Sequence, residues 1–175
     1  LDAALHVLID EGFERATTNR IADRAGYSVG TLYQYFEDKD DIYEKIVDQA
    51  LLQMTDSASA LEAKSSLMDT LQALFESVLA SLKADPAIIQ ALEPLLNGRF
   101  RDKRQTAYEA LVASTLRLLQ AHRDEINVDD LELAAGVIVA ATSGLANSNG
   151  PKMLESPKFL AHVMRLQFAY LTLKT

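Results

Sequence analysis

The 175-residue sequence predicts an all-α chain of about nine helices. Three observations carry that reading. Strand-type alternation is nearly absent, and apolar residues recur at three- and four-residue spacing along most of the chain. Helix punctuation is also frequent, with Ser, Thr or Asp ahead of an apolar run and Gly or Pro beyond it.

The elements follow in order. Leu5, Leu8 and Ile9 share a helical face, and Gly12 supplies a C-terminal stop. Thr17 and Thr18 are placed to cap a short helix through Ala25, closed by Gly26. Ser28 caps a further piece ending near Phe36. Asp38 then opens a longer helix in which Ile42, Ile46, Ala50 and Met54 recur every fourth residue. Beyond residue 60 the helices lengthen, and Leu67, Leu71, Leu74, Phe75, Val78 and Leu82 form one stripe. The Asp-Pro pair at 85–86 caps the next helix with proline at its first position, where a missing N–H does no harm. The stretch from Pro94 to Gly98 reads as a break. A helix follows to about His122, with Tyr108, Leu111, Val112, Thr115, Leu118 and Leu119 inward. Asp129 and Glu132 predict a capping box before "LELAAGVIVAATSGLA". The Ser-Pro pair at 156–157 opens the last helix, from 159 to 173.

Composition bounds the function. Hydrophobic residues are 49% and charged ones 24% of the chain, a globular balance. With no cysteine, disulfides, thiolate metal sites and cysteine nucleophiles are excluded, and a reducing, cytoplasmic setting is expected. No charged-then-apolar leader opens the sequence. The longest run without Asp, Glu, Lys or Arg, 133–151, is rich in Ala, Gly, Ser, Thr and Asn in its second half, which argues against a membrane span. The net charge of −8 argues, as a far-field term, against a nucleic-acid partner.

The last two helices are apolar on more than one side. Leu160, Met164, Gln167 and Leu171 lie on one face of the final helix, and Phe159, Val163, Leu166 and Tyr170 on the adjoining one. The helix before it carries Gly136, Ala140 and Gly144 at four-residue spacing, a ridge of small residues that lets another helix approach. A homodimer burying a four-helix interface accounts for both faces, and a thick monomer core is the alternative.

The segment "SVGTLYQYF", residues 28–36, has no charge yet gathers two tyrosines, a glutamine, a threonine and a glycine. On a helical wheel Leu32 and Phe36 point one way with Val29 at the border. Gly30, Tyr33 and Gln34 point the other way, flanked by Thr31 and Tyr35. Hydroxyls suit phosphate oxygens, an amide suits a base edge, and a bare glycine allows close backbone approach. The preceding helix, "TTNRIADRAG", ends in a glycine followed by a tight link, which is a helix-turn-helix arrangement.

Taken together, "GFERATTNRIADRAGYSVGTLYQYFEDKDDIYEKIV" resembles the N-terminal domain of the tetracycline-repressor (TetR) family of transcriptional regulators. "IADRAG", "GTLYQYF" and the lysine that follows are its most specific parts. The resemblance implies a DNA-binding domain over 1–47, whose connecting helix runs on to about 60, and a helical effector-binding and dimerisation domain over 48–175. It implies DNA contacts from Thr17, Thr18, Asn19, Arg20, Ser28, Val29, Gly30, Thr31, Tyr33, Gln34, Tyr35 and Lys39. Tyr33 would hold a phosphate and Gln34 would read a base. Ala22, Ala25, Leu32 and Phe36 would form the small domain's core. The implied partners are a palindromic double-stranded operator, a second copy of the chain and a small effector. No cofactor and no metal are implied. A helical small-molecule-binding or protein-interaction module without sequence-specific DNA binding is the alternative.

Two features depart from the family's pattern. Position 29, often lysine, is valine, which offers only apolar contact. Residues 1–50 hold five Lys and Arg against eleven Asp and Glu. DNA binding then requires Asp10, Glu11, Asp41 and Glu44 to face away from the duplex, and it should fall steeply with salt.

By the same resemblance, an effector pocket would be walled by Phe75, Val78, Leu82, Ile89, Leu92, Phe100, Tyr108, Leu111 and Thr115, and would take a largely apolar molecule. "RFRDKR", 99–104, is the densest basic cluster. It could meet an anionic ligand or the acidic domain of its own chain, but the usual fate of charge runs favours a solvated turn and helix start. His6, His122 and His162 are scattered without metal-ligand spacing. No signature of familiar enzyme chemistry is present, and "HRD" at 122–124 reads as a cation at a helix end.

Overall fold

The structure, a computed structural model, describes residues 1–83, 86–148 and 157–173. Asp85, Ser156 and the side chains of Leu82 and Leu160 lie outside the described residues. Among those described, nine α-helices and one 3-10 turn make up the regular structure, with no strand. They are α1 (Asp2–Glu11), α2 (Thr18–Ala25), α3 (Val29–Leu32), α4 (Lys39–Ser59), α5 (Leu67–Lys83), α6 (Pro86–Asn97), α7 (Arg101–Gln120), α8 (Leu131–Ser148) and α9 (Pro157–Thr172).

The backbone divides into two compact units, Leu1–Leu52 with Asp85–Gln105, and Gln53–Ala84 with Thr106–Thr175. In the first, α1 to α3 and the first half of α4 close on a core of Ala4, Val7, Leu8, Ile21, Ala22, Leu32, Ile42, Tyr43, Ile46 and Val47. Leu92, Leu95 and Phe100, from α6 and the turn after it, complete that same core. Leu92 and Phe100, expected from the resemblance in the wall of an effector pocket, instead fill the core of the first unit. Helical spacing shows which face of a segment is apolar, not which neighbour covers it.

The basic cluster after α6 explains part of this docking. Arg99 pairs with Asp40, and Lys103 lies 2.9 Å from Glu44 and 2.7 Å from Asp48. Hydrogen bonds to Asp48 and Glu44 hold the Lys103 ammonium pKa above its usual value. The expectation of a solvated run is thus corrected, because the acidic face of α4 gives these cations partners within the unit. Pro94 does not break the chain either. It sits inside α6 near its end, where one lost backbone hydrogen bond is tolerable, and the turn comes at Gly98. A Cβ at Gly98 would lie 3.1 Å from the Pro94 carbonyl oxygen, so this close turn favours glycine.

Tyr43 is fully buried and donates its hydroxyl to the Ala4 carbonyl at 3.1 Å. Burial, aided by the Glu11 charge, pushes its pKa up to about 12. The folded chain thus holds the phenol proton more tightly than an unfolded one, whose pKa is about 10. This contribution to stability is complete below pH ~10 and is lost as the pH rises through the folded value. Tyr43→Phe should cost about 1 kcal/mol at neutral pH and should flatten the alkaline fall in urea midpoint. An equally steep alkaline fall in the variant would contradict the assignment.

In the second unit α5, α7, α8 and α9 pack around Leu67, Leu71, Leu74, Leu118, Leu119, Ala134, Ala135, Ile138 and Leu171. Asp130, not Asp129, caps α8, accepting the Leu133 N–H at 2.9 Å, so a single side-chain cap stands where a capping box with Glu132 was predicted. His122 is buried, with its ring nitrogens 2.8 Å from Thr70 Oγ1 and from Glu125 Oε1, and the Glu125 carboxylate also accepts the Leu67 N–H at 3.1 Å. This network satisfies the start of α5 from the far end of α7.

Two apolar faces of α9 were expected at a subunit interface, and the structure divides them differently. Val163, Met164, Gln167 and Leu171 are buried within the subunit, with Gln167 Nε2 donating to Thr142 Oγ1 at 2.9 Å. Leu166 and Tyr170 are exposed, as is Leu173. On α8, Leu133, Val137, Ala140 and Gly144 lie along one exposed stripe, while Gly136 is half-buried beneath the Tyr108 hydroxyl, which donates to its carbonyl. Phe159 is half-buried. No described helix is long and apolar enough to cross a membrane.

Candidate nucleic-acid interface

Three side-chain caps shape the region from 17 to 41. Thr17 Oγ1 accepts the Arg20 N–H at 3.3 Å and starts α2. Gly26 ends it in the left-handed region, φ 72°, a conformation glycine adopts without strain. Tyr27 N–H then bonds back to the Ala22 carbonyl at 3.0 Å. Ser28 Oγ accepts the Thr31 N–H at 3.0 Å and starts α3, and helical turns continue from α3 to Phe36, whose N–H bonds the Leu32 carbonyl at 3.1 Å. Asp38 accepts the Asp41 N–H at 2.8 Å at the head of α4. Lys45 and the Glu37 N–H both bond Asp41, and together they hold its carboxyl pKa below the ordinary value.

Leu32 is buried, and Phe36 and Val29 pack half-buried on the first unit's core. Ala22 is buried and Ala25 half-buried. The opposite side of the segment is open. Tyr33 and Tyr35 are 53% and 72% exposed, and Gly30 and Gln34 are exposed with them. Tyr27, in the turn, is 66% exposed and was not singled out from the sequence, although a tyrosine following the turn glycine was the available signal. Thr18 Oγ1 and the Tyr33 hydroxyl lie 3.2 Å apart and bridge α2 to α3. Ser28 and Thr31 hydroxyls meet at 2.8 Å. Asn19 is exposed on the first turn of α2.

Arg20, Arg24 and Lys39 each have a partner within the first unit. Arg20 pairs with Glu11, and Arg24 NH1 lies 2.6 Å from Asp10. Asp10 and Glu11 therefore face the arginines of α2. Lys39 donates to the Phe13 carbonyl at 2.9 Å and lies 4.0 Å over the Phe13 ring, so its ammonium is already engaged.

In the second unit a narrow cavity of about 50 Å³ is lined by Met54, Ala58, Leu74, Ser77, Val78, Leu111, Thr115, Ile138, Val139, Thr142 and Ser143. Of the expected pocket wall, Val78, Leu111 and Thr115 are in it. Phe75 is buried and Tyr108 half-buried outside it, and Ile89 is half-buried on α6.

A capped pair of short helices joined by a glycine turn, presenting an uncharged polar surface, defines a helix-turn-helix protein. Residues 1–46 match the family model of bacterial regulatory proteins, tetR family. Over 83 residues the chain is 25% identical to the nucleoid occlusion factor SlmA of Glaesserella parasuis, covering 47% of this chain and 41% of that one. The chain therefore spans less than half the length of that relative. Two solved structures share the fold across almost the whole chain. SmeT, the repressor of the Stenotrophomonas maltophilia multidrug efflux pump SmeDEF, superposes in its triclosan complex with TM-score 0.79 at 20% identity, covering 98% of this chain and 89% of SmeT. The fatty acid degradation regulator FadR of Bacillus halodurans gives TM-score 0.75 at 21% identity, with 97% and 91% covered.

Proposed function

We propose that the chain is a ligand-responsive transcriptional repressor that binds a palindromic operator as a homodimer. The observation that carries this reading is the exposed surface of Tyr33, Gln34, Tyr35 and Gly30, braced through Thr18 and Ser28 on a capped helix-turn-helix. Two copies related by a two-fold axis would present two such surfaces, and the DNA site must then be palindromic. The first unit would read DNA, and the second would dimerise and bind the effector.

The exposed stripes Leu133, Val137, Ala140 and Gly144 on α8, and Leu166, Tyr170 and Leu173 on α9, supply the dimer surface. Each is apolar, and each runs along the side of its helix that the subunit leaves uncovered. Val137→Glu with Leu166→Glu is expected to leave the chain folded but monomeric by sedimentation, because both side chains are exposed. Operator affinity should fall with it, since a monomer engages one half-site. A folded variant that remains dimeric would reject this surface.

The cavity lining points to an apolar effector met by hydroxyls from Ser77, Thr115, Thr142 and Ser143. One structure of this fold is a complex with triclosan. At about 50 Å³ the cavity is far smaller than the several hundred Å³ of ordinary ligand sites, so effector binding must open it. The ligand then acts through its higher affinity for the opened state. α4 and α7 run from one unit into the other and are the continuous elements available to carry that change. The competing reading, a module without DNA binding, draws on the engaged cations of residues 1–50. It predicts no duplex enrichment at any salt concentration.

A further inference from the structure

Every Lys and Arg in residues 1–36 is held by the last two residues of α1. The Glu11 carboxylate takes Arg20, its carbonyl accepts the Arg15 Nε–H at 3.0 Å, and Asp10 takes Arg24 at 2.6 Å. Arg20 and Arg24 lie one turn apart on α2, and their partners are neighbours in sequence, so the two pairs form adjacent rungs between α1 and α2. These rungs are not sealed in. The Arg20 and Arg24 side chains are 57% and 42% exposed.

We infer that Asp10 and Glu11 are specificity-determining positioning residues that occupy Arg20 and Arg24 as stand-ins for phosphate. The inference rests on the DNA-binding reading above. A guanidinium forks onto a carboxylate and onto a phosphate with the same geometry. An arginine–phosphate grip is blind to sequence and works on any duplex, whereas hydroxyl and amide contacts require matched geometry. With both rungs closed, the exposed α2–α3 surface offers Tyr33, Gln34 and their neighbours, and binding depends on fit. The acidic end of α1 thus selects against non-cognate DNA, which gives the charge balance of this domain a role. An exposed ion pair shifts an equilibrium by about fivefold at most, so the rungs bias binding without blocking it.

The test uses the full chain and a fluorescent duplex of random sequence, titrated across a range of salt. Asp10→Asn with Glu11→Gln should raise affinity for this duplex by about two- to fivefold per rung. The slope of log affinity against log salt should steepen by about one for each arginine released. Glu14→Gln is the charge control, since Glu14 is exposed and no described ion pair includes it. Adding Arg20→Gln to the double variant should reverse about half of the gain, a readout that loss of a merely structural pair would not produce. Melting curves identify any variant that fails to fold, and Glu11→Gln alone is then read against the same control. Random-duplex affinity and slope that move no more in the variants than in Glu14→Gln would overturn the inference, as would no binding by any variant. Absence of operator selection by the wild type is a separate result, and it would overturn the regulator reading instead.

Discussion

Phe100→Ala is expected to destabilise the helices proposed to read DNA, although Phe100 lies far along the chain from them. Its ring sits in one core with Ala4, Leu8, Ile21, Leu32 and Tyr43, and is 8% exposed. Truncating a buried phenylalanine leaves a cavity as well as lost transfer free energy, about 3–5 kcal/mol in all. That is a large share of the stability of an ordinary domain. The melting temperature should fall by roughly 10 °C, with amide exchange accelerating in α1 and α2 as much as in α6. Leu92→Ala should act in the same way by about 2–5 kcal/mol. Unchanged protection of α1 and α2 in either variant would show that residues 1–52 hold their own core and that α6 is an accessory.

Tyr33→Ala and Gln34→Ala should do the opposite, abolishing or relaxing DNA recognition while leaving stability almost unchanged. Both side chains are exposed, so their loss should shift stability by less than about 0.5 kcal/mol. Loss of Gln34 removes one amide able to pair with a base edge, a discrimination of about 1–3 kcal/mol at a single position of each half-site. Tyr33, whose hydroxyl lies against Thr18, is the proposed phosphate ligand, and its loss should weaken binding to all duplexes alike. Tyr33→Phe, which keeps the ring, should lose nearly as much as Tyr33→Ala if the hydroxyl is the contact. A selectivity change with Tyr33→Phe, or a uniform loss with Gln34→Ala, would reverse the two roles.

Local chemistry was legible in the sequence, and long-range pairing was not. Thr17, Ser28 and Asp38 cap where their residue types and positions said they would, and Gly12 and Gly26 stop helices with positive φ. Leu32 and Tyr33 fall on opposite sides of the segment as the wheel placed them. Each of these depends on neighbours within four residues. The docking of Leu92 and Phe100 on α1 to α4, and the ion pairs of Arg99 and Lys103 with α4, join segments some fifty or more residues apart, as their separations show. No spacing rule within a single helix encodes them. The same limit applies to α9, where two adjoining apolar faces were visible but not which of them its own subunit covers. Gln167 carried a hint, because a buried amide needs a partner, and Thr142 provides it. The pairing of Arg20 with Glu11 was not legible for a similar reason. A net charge says nothing about which carboxylate stands beside which guanidinium.

The most direct test of the central claim is selection of bound duplexes from a random pool by the full-length protein, run beside Tyr33→Ala and Gln34→Ala at low and moderate salt. The structure-based account predicts that the wild type enriches a palindrome, that Gln34→Ala relaxes one position in each half of it, and that Tyr33→Ala recovers the same palindrome with lower affinity. Absence of any enriched sequence at low salt, from wild-type protein shown to be folded and dimeric, would contradict the account.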